Sequence, residues 1–307
     1  MSDLEKKVYI ILDPKKSGAA APIKETFRRL MRQSFLGIGS NLVILDNVDK
    51  KLDFRDSVVI FIVPPKRVIN SMKFVNKNNN IFIVWNFESI TREGGNRASM
   101  HTEYVRNICK SLEVDHVWHF AEHQIEIINN KKFSYLPMGF DEGICLQNIC
   151  KISDIIFLGA LTENRKDLFS KLKNNSFVFR HYNGSDYVNF DNMIRDIGSY
   201  RIGIDSVSER YVPNCIRWHR IMLYAANKIV CVMDNNLLEK YGFENGKHYF
   251  SYKFGDRNDL LKVINNIVEN YKLISSVAEN MYNKIDKDFR MKDLMIRKMQ
   301  ECKIDIF

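Results

Sequence analysis

Residues Tyr211 to Asp234 read YVPNCIRWHRIMLYAANKIVCVMD. An arginine-bearing start runs into a helix with an apolar face, a short break at Asn227-Lys228, and then a buried strand, which together make one unit of an α/β fold. Arg217 and Arg220 stand three apart, so on a helix they share one face near its N-terminal end. The helix dipole and first-turn N–H groups favour an anion there. The layout is that of a phosphate-reading helix.

Working outward, the same alternation fills the second half of the chain. A strand at Asp154–Leu158 is followed by the loop GALTENR, a helix to about Lys173, the strand FVFR, the loop HYNGSD, a helix through Ile197 and the strand RIGID. Downstream lie the polar stretch YGFENGKHYF and three helical patterns, Asp256–Glu269, Leu273–Lys287 and Met291–Cys302. The first half repeats the theme. Strands are expected at Val8–Leu12, Leu42–Leu45, Val58–Val63, Ile81–Trp85 and Phe133–Pro137, with helices at about Pro22–Phe35 and between Lys66 and Asn76. Periodicity fails across MGFDEGICLQNICKIS, which marks the domain boundary. The expected domains are residues 1–140 and 152–285, with 286–307 as a C-terminal helix that could pack back on the first domain. Strands alternating with helices point to doubly wound parallel sheets.

Composition bounds the function. The chain has 307 residues, 45% hydrophobic and 27% charged, as a folded globular protein does. Val58–Val63, its longest uninterrupted apolar run, is far short of the ~20 residues that span a bilayer, and MSDLEKK lacks a secretory h-region. A cytoplasmic setting is expected. Cys109, Cys145, Cys150, Cys215, Cys231 and Cys302 contain no CxxC pair and suggest neither a zinc nor a disulfide framework. The net charge of +9 fits a polyanionic partner such as DNA, or simply a basic surface. Its excess divides almost evenly between the two halves.

Polar groups gather where strands end. In the second half, Gly159 follows a strand and permits close backbone approach, while Arg165 can return to a diphosphate as a two-pronged donor. Asp205, Ser206 and Ser208 follow RIGID, and Asn214, Arg217 and Arg220 come from the opening stretch. Such cationic forks would stabilise a nucleotide-diphosphate leaving group without a metal. The plainer alternative is that the arginines pair with local acids such as Glu209. In the first half, Lys16, Ser17 and Gly18 sit in the loop after the first strand, where an acceptor could lie. Glu88 and Arg92 follow the strand at Ile81. Glu88 could act as a general base, or could cap a helix or pair with an arginine. His116, His119 and His123 would share a face on a helix and could bind zinc, but HVWHF reads as a strand leading into a helix, which scatters them. No metal is expected.

DIIFLGALTENRKDLFSKL followed by RIGIDSV and RWHRIMLYAANKIVCVMD resembles the GT-B glycosyltransferases. The likeness is nearest to viral and phage members such as the phage DNA β-glucosyltransferase. It implies two Rossmann-like domains facing across a cleft, and transfer of a sugar from a nucleotide-diphosphate sugar to a hydroxyl acceptor, which could be a modified DNA base, a glycan, a protein or a small molecule. A viral source would place it in the host cytoplasm. Under the resemblance Arg165 and Arg220 contact the donor diphosphate, Gly159 leaves room for it, and Glu88 falls after the strand that carries the catalytic carboxylate. The nucleotide sugar is then a substrate, and no cofactor is implied. One departure is that many relatives carry a ribose-binding glutamate three residues after the helix arginine, where this chain has Leu223. The alternative reading is a non-catalytic protein that keeps the fold and binds nucleic acid or another partner.

Overall fold

The computed structural model describes residues 6–12, 20–36, 41–46, 51–62, 65–87, 107–108, 110–111, 113–145, 149–151, 153–159, 161–174, 177–180, 190–206 and 216–306. The chain divides into two compact units. One comprises residues 1–16, 31–137 and 291–307, the other residues 17–30 and 138–290.

In the first unit, β1 (Val8–Leu12), β2 (Leu42–Leu45), β3 (Val58–Ile62), β4 (Ile81–Asn86), β5 (His116–His119) and β6 (Phe133–Tyr135) form a six-stranded sheet. Its order is β2-β1-β3-β4-β5-β6 and its pairings are parallel. Parallel strands need crossover connections, so both faces become covered and the strands read as unbroken apolar runs. β3, VVIFI, is buried at every position, and each such side chain contributes about 1.5–3 kcal/mol on leaving water. Along the chain, helices α1 (Ala20–Leu36), α2 (Pro65–Met72) and α3 (Glu122–Ile128) follow β1, β3 and β5, and residues 20–30 of α1 group with the second unit. Val68 and Met72 of α2 pack with Phe61, Phe82 and Val117 of the sheet.

The second unit holds β7 (Ser153–Leu158), β8 (Phe177–Arg180), β9 (Tyr200–Asp205), β10 (Val230–Met233) and β11 (Phe250–Ser251), in the parallel order β11-β10-β9-β7-β8. Its helices are α4 (Glu163–Phe169), α5 (Phe190–Gly198), α6 (Trp218–Ala226), α7 (Arg257–Glu269) and α8 (Tyr271–Asp288), and α9 (Met291–Glu301) belongs to the first unit. Numbered within each unit, both sheets begin 2-1-3-4-5. Strand order reverses beside the first strand of such a sheet, and ligands bind at the carboxyl ends of the strands there. In the second unit that switch point lies between β7 and β9.

α6 is the helix of the Tyr211–Asp234 stretch. Every residue from Ile221 to Ala226 is buried, and a helix apolar around most of its circumference belongs inside a core. It ends where the sequence breaks. Lys228 takes a left-handed conformation (φ 50°), its N–H donating to Ala225 O at 3.0 Å while Ile229 N–H reaches back to Tyr224 O at 3.0 Å. These paired bonds close the helix in a Schellman-type cap. The Asn227 amide also donates to Leu223 O at 2.8 Å.

Most expected elements appear within one or two residues of their expected bounds. Three places differ: α2 ends at Met72, four residues before Asn76; β11 is a two-residue edge strand inside a stretch that reads as polar; and the helix expected to reach Lys173 gives way to a 3-10 turn over Ser170–Asn174. Residues 17–30, read above with the first domain, group with the second unit. No helix among the described residues is long and apolar enough to cross a membrane.

Candidate functional site

The carboxyl edge of the second sheet is built around the switch point. Phe157 and Ile204 are the last paired residues of β7 and β9. Just beyond them the Tyr224 hydroxyl of α6 accepts from Leu158 N–H and donates to Ile204 O, both at 3.2 Å, so one side chain satisfies two backbone groups at the end of the ladder. Gly203 makes this packing possible, because a Cβ there would lie 2.6–2.7 Å from the Tyr224 ring. β7 then delivers Gly159 and α4 delivers Arg165. β9 delivers Asp205 and Ser206, β10 is followed by Asp234, and the start of α6 supplies Arg217 and Arg220.

Three guanidinium groups converge here. Asp205 is fully buried. Arg217 Nε donates to its two oxygens at 2.8 and 3.0 Å and Arg217 Nη2 adds a contact at 2.8 Å, while Arg220 Nη1 donates to Oδ1. Arg217 Nη2 also reaches Asp234 Oδ1 at 3.2 Å. Arg165 donates to the Ser206 carbonyl. The Arg165 and Arg220 guanidinium carbons each lie 4.9 Å from the centroid of the Phe157 ring, within range of a cation–π contact. Gly159 has φ 153°, and a Cβ on it would sit 2.9 Å from Arg220 Nη2 and 3.2 Å from Phe157 Cζ. A side chain at residue 159 would have to displace that guanidinium.

Electrostatics follow from the crowding. Burial alone would raise the Asp205 pKa, but the charges of Arg217 and Arg220 outweigh it and hold the carboxyl below its ordinary value. Burial, and then repulsion from Arg220 and Arg217, bring the Arg165 pKa down to about 9. A ligand bearing negative charge would relieve that repulsion. His219, next to Arg220 in α6, is half-buried near Thr26 Oγ1 (3.3 Å); loss of hydration and then the Arg220 charge lower its pKa to about 3, so it is neutral at pH 7.

No protein-family model matches the sequence, and no curated protein matches it. Solved structures do match in three dimensions. Sucrose-phosphate synthase from Thermosynechococcus elongatus superposes with a TM-score of 0.63 at 9% identity, over 97% of this chain and 98% of that one. HepE from Anabaena, solved with UDP and glucose, gives 0.61 at 9% identity, over 97% and 99%. TarM from S. aureus, solved as a variant with fondaparinux, α-GlcNAc-glycerol and UDP, gives 0.60 at 12% identity, over 81% of this chain and 56% of that one. The chain thus spans little more than half the length of TarM. The fold is that of the GT-B glycosyltransferases.

On this GT-B framework, Gly159, Arg165, Asp205, Arg217 and Arg220 come together as one cluster. Glu88, Arg92, Lys16, Ser17, Gly18 and Asn214 lie outside the described residues. Two expectations change in character. The Asp205 carboxylate, expected to face a donor, faces Arg217 and Arg220, and the space left by Gly159 is occupied by Arg220. Leu223 is fully buried. Sequence reasoning missed Asp234, Phe157 and Tyr224. Asp234 could have been found as the acid directly after β10, at the same sheet edge as Asp205.

The histidines fall on different elements. His116 and His119 lie on β5, where residues three apart point to opposite faces, and His123 lies on α3. His119 is buried, with Nε2 at 2.9 Å from Gln124 Oε1 and Nδ1 at 3.2 Å from Asn86 Nδ2, and burial lowers its pKa to about 4. It is a neutral core histidine. Among the described residues, no group of three His, Cys, Asp or Glu side chains could hold a metal ion.

Proposed function

We propose that this chain is a nucleotide-sugar-dependent glycosyltransferase, with the donor diphosphate held at the switch point of the second unit by Arg165 and Arg220. The observation that carries this reading is the convergence of three guanidinium groups around Asp205 and Phe157, with Arg220 beside Gly159, at the strand ends where doubly wound sheets bind ligands. Three guanidinium groups stand against the two carboxylates of Asp205 and Asp234, and this excess of positive charge favours an anion, while N–H forks suit phosphate oxygens as leaving-group charge develops. The fold neighbours solved with UDP, TarM and HepE, support a donor of this class. Glu88 is the proposed base, taking the proton from an acceptor hydroxyl.

Two kinds of acceptor fit this reading, and salt-dependent binding separates them. The sugar-bearing ligands in the TarM and HepE structures favour a carbohydrate or glycerol-type hydroxyl. A net charge of +9 and the resemblance to phage members favour a modified DNA base, which would be flipped out of the duplex. Duplex binding that weakens steeply with salt would support DNA; absent or salt-insensitive binding would exclude it.

A second reading, a protein that keeps the fold but binds a partner without transfer, is favoured by Leu223. This buried apolar side chain stands where the resemblance puts a ribose-binding glutamate. Thermal melts with a panel of nucleotide sugars decide between the two, because a donor that binds only the native state raises the melting temperature. A shift that disappears in Arg220→Ala supports the enzyme, and no shift with any donor supports the second reading.

A further inference from the structure

We infer that Asp205 and Phe157 are positioning residues for the donor diphosphate, seating the Arg220 guanidinium against Gly159; this rests on the donor site proposed above. Arg220 is held on three sides. Asp205 Oδ1 takes its Nη1, the Phe157 ring lies 4.9 Å from its guanidinium carbon, and Nη2 occupies the space that a side chain at residue 159 would fill. The same two groups serve its neighbours. Phe157 also lies against Arg165 at 4.9 Å, and Asp205 takes the Nε and Nη2 of Arg217.

Asp205 is fully buried and its carboxylate is engaged by two guanidinium groups, so its contribution to a ligand passes through the arginines. An arginine free to choose among rotamers must be ordered when the anion arrives. One already fixed by a carboxylate and a ring presents its N–H donors without that cost.

Charge and position predict opposite signs for one substitution, which makes the inference testable. Asp205→Asn removes a negative charge from the site, and by Coulomb attraction alone an incoming anion should bind more tightly. If Asp205 positions the arginines, affinity falls instead, because the amide nitrogen cannot accept from a guanidinium and one of the two is released. The probes are inorganic pyrophosphate and UDP, titrated calorimetrically against the full chain. Wild-type protein is measured first: binding of neither probe would overturn the donor-site reading and this inference with it. Given wild-type binding, Asp205→Asn is expected to bind both probes at least tenfold more weakly, and equal or tighter binding would overturn the positioning role while leaving the donor site standing. Phe157→Leu is expected to lose threefold or more in affinity in protein that thermal melts show to be folded, and Phe157→Met, which also lacks a ring, is expected to lose as much. This pair carries the test alone if Asp205→Asn does not fold, and wild-type affinity in Phe157→Leu would then overturn the inference.

Discussion

Gly159→Ala probes the local geometry and the site chemistry together. Two costs arise. At φ 153° a non-glycine residue is strained, at an expense of about 1–3 kcal/mol. The new methyl would also sit 2.9 Å from Arg220 Nη2 and 3.2 Å from Phe157 Cζ. The guanidinium is the end of a flexible side chain and can swing away. Phe157 is fully buried against Phe169 and Phe179, with ring centroids 4.8 and 6.0 Å away, and can yield little. Overpacking of this kind adds about 1–3 kcal/mol, for a total of roughly 2–4 kcal/mol once the backbone shares the strain. Chemical denaturation should show that loss, and a thermal scan should show a fall of roughly 5–15 °C for a domain of this size. UDP affinity should fall by more than the fraction unfolded explains, because the displaced group is the one assigned to the diphosphate. A Gly159→Ala protein with wild-type stability and wild-type UDP affinity would refute the reasoning.

Two further outcomes concern the framework. Gly203→Ala would push a methyl into the Tyr224 ring and is expected to destabilise the second unit by about 1–3 kcal/mol, read by urea denaturation; wild-type stability would mean that Tyr224 moves freely. His119, with a folded pKa lowered from 6.5 to about 4, takes up its proton more readily in the unfolded state. Its contribution is therefore fully present above about pH 6.5 and is lost as pH falls toward 4, up to ~3 kcal/mol in all. The stability difference between wild type and His119→Gln should shrink across that window, and a difference independent of pH would remove His119 as the cause.

The fold was legible because parallel strands buried on both faces announce themselves. VVIFI, IFIVWN and DIIFL have no polar alternation to mistake for surface, and the polar loops between them mark the sheet edges. β11 was hidden because two residues cannot show a period. The arginine cluster was legible as a set, through the three-residue spacing of Arg217 and Arg220 and the strand-end placement of Gly159 and Arg165. Its internal wiring was not. Nothing in the one-dimensional order says that Asp205 turns toward two arginines, or that Gly159 makes room for Arg220, since both depend on how β7, β9 and α6 pack. Phe157 reads as one more core aromatic, and only its position two residues before Gly159 brings it under both guanidinium groups.

The central claim is that the switch point of the second unit holds a donor diphosphate. A crystal structure with UDP bound tests it most directly. The account predicts diphosphate oxygens within hydrogen-bond distance of Arg165 and Arg220, beside Gly159, with Asp205 still holding Arg217. A nucleotide bound elsewhere, leaving both arginines without a phosphate contact, would contradict it.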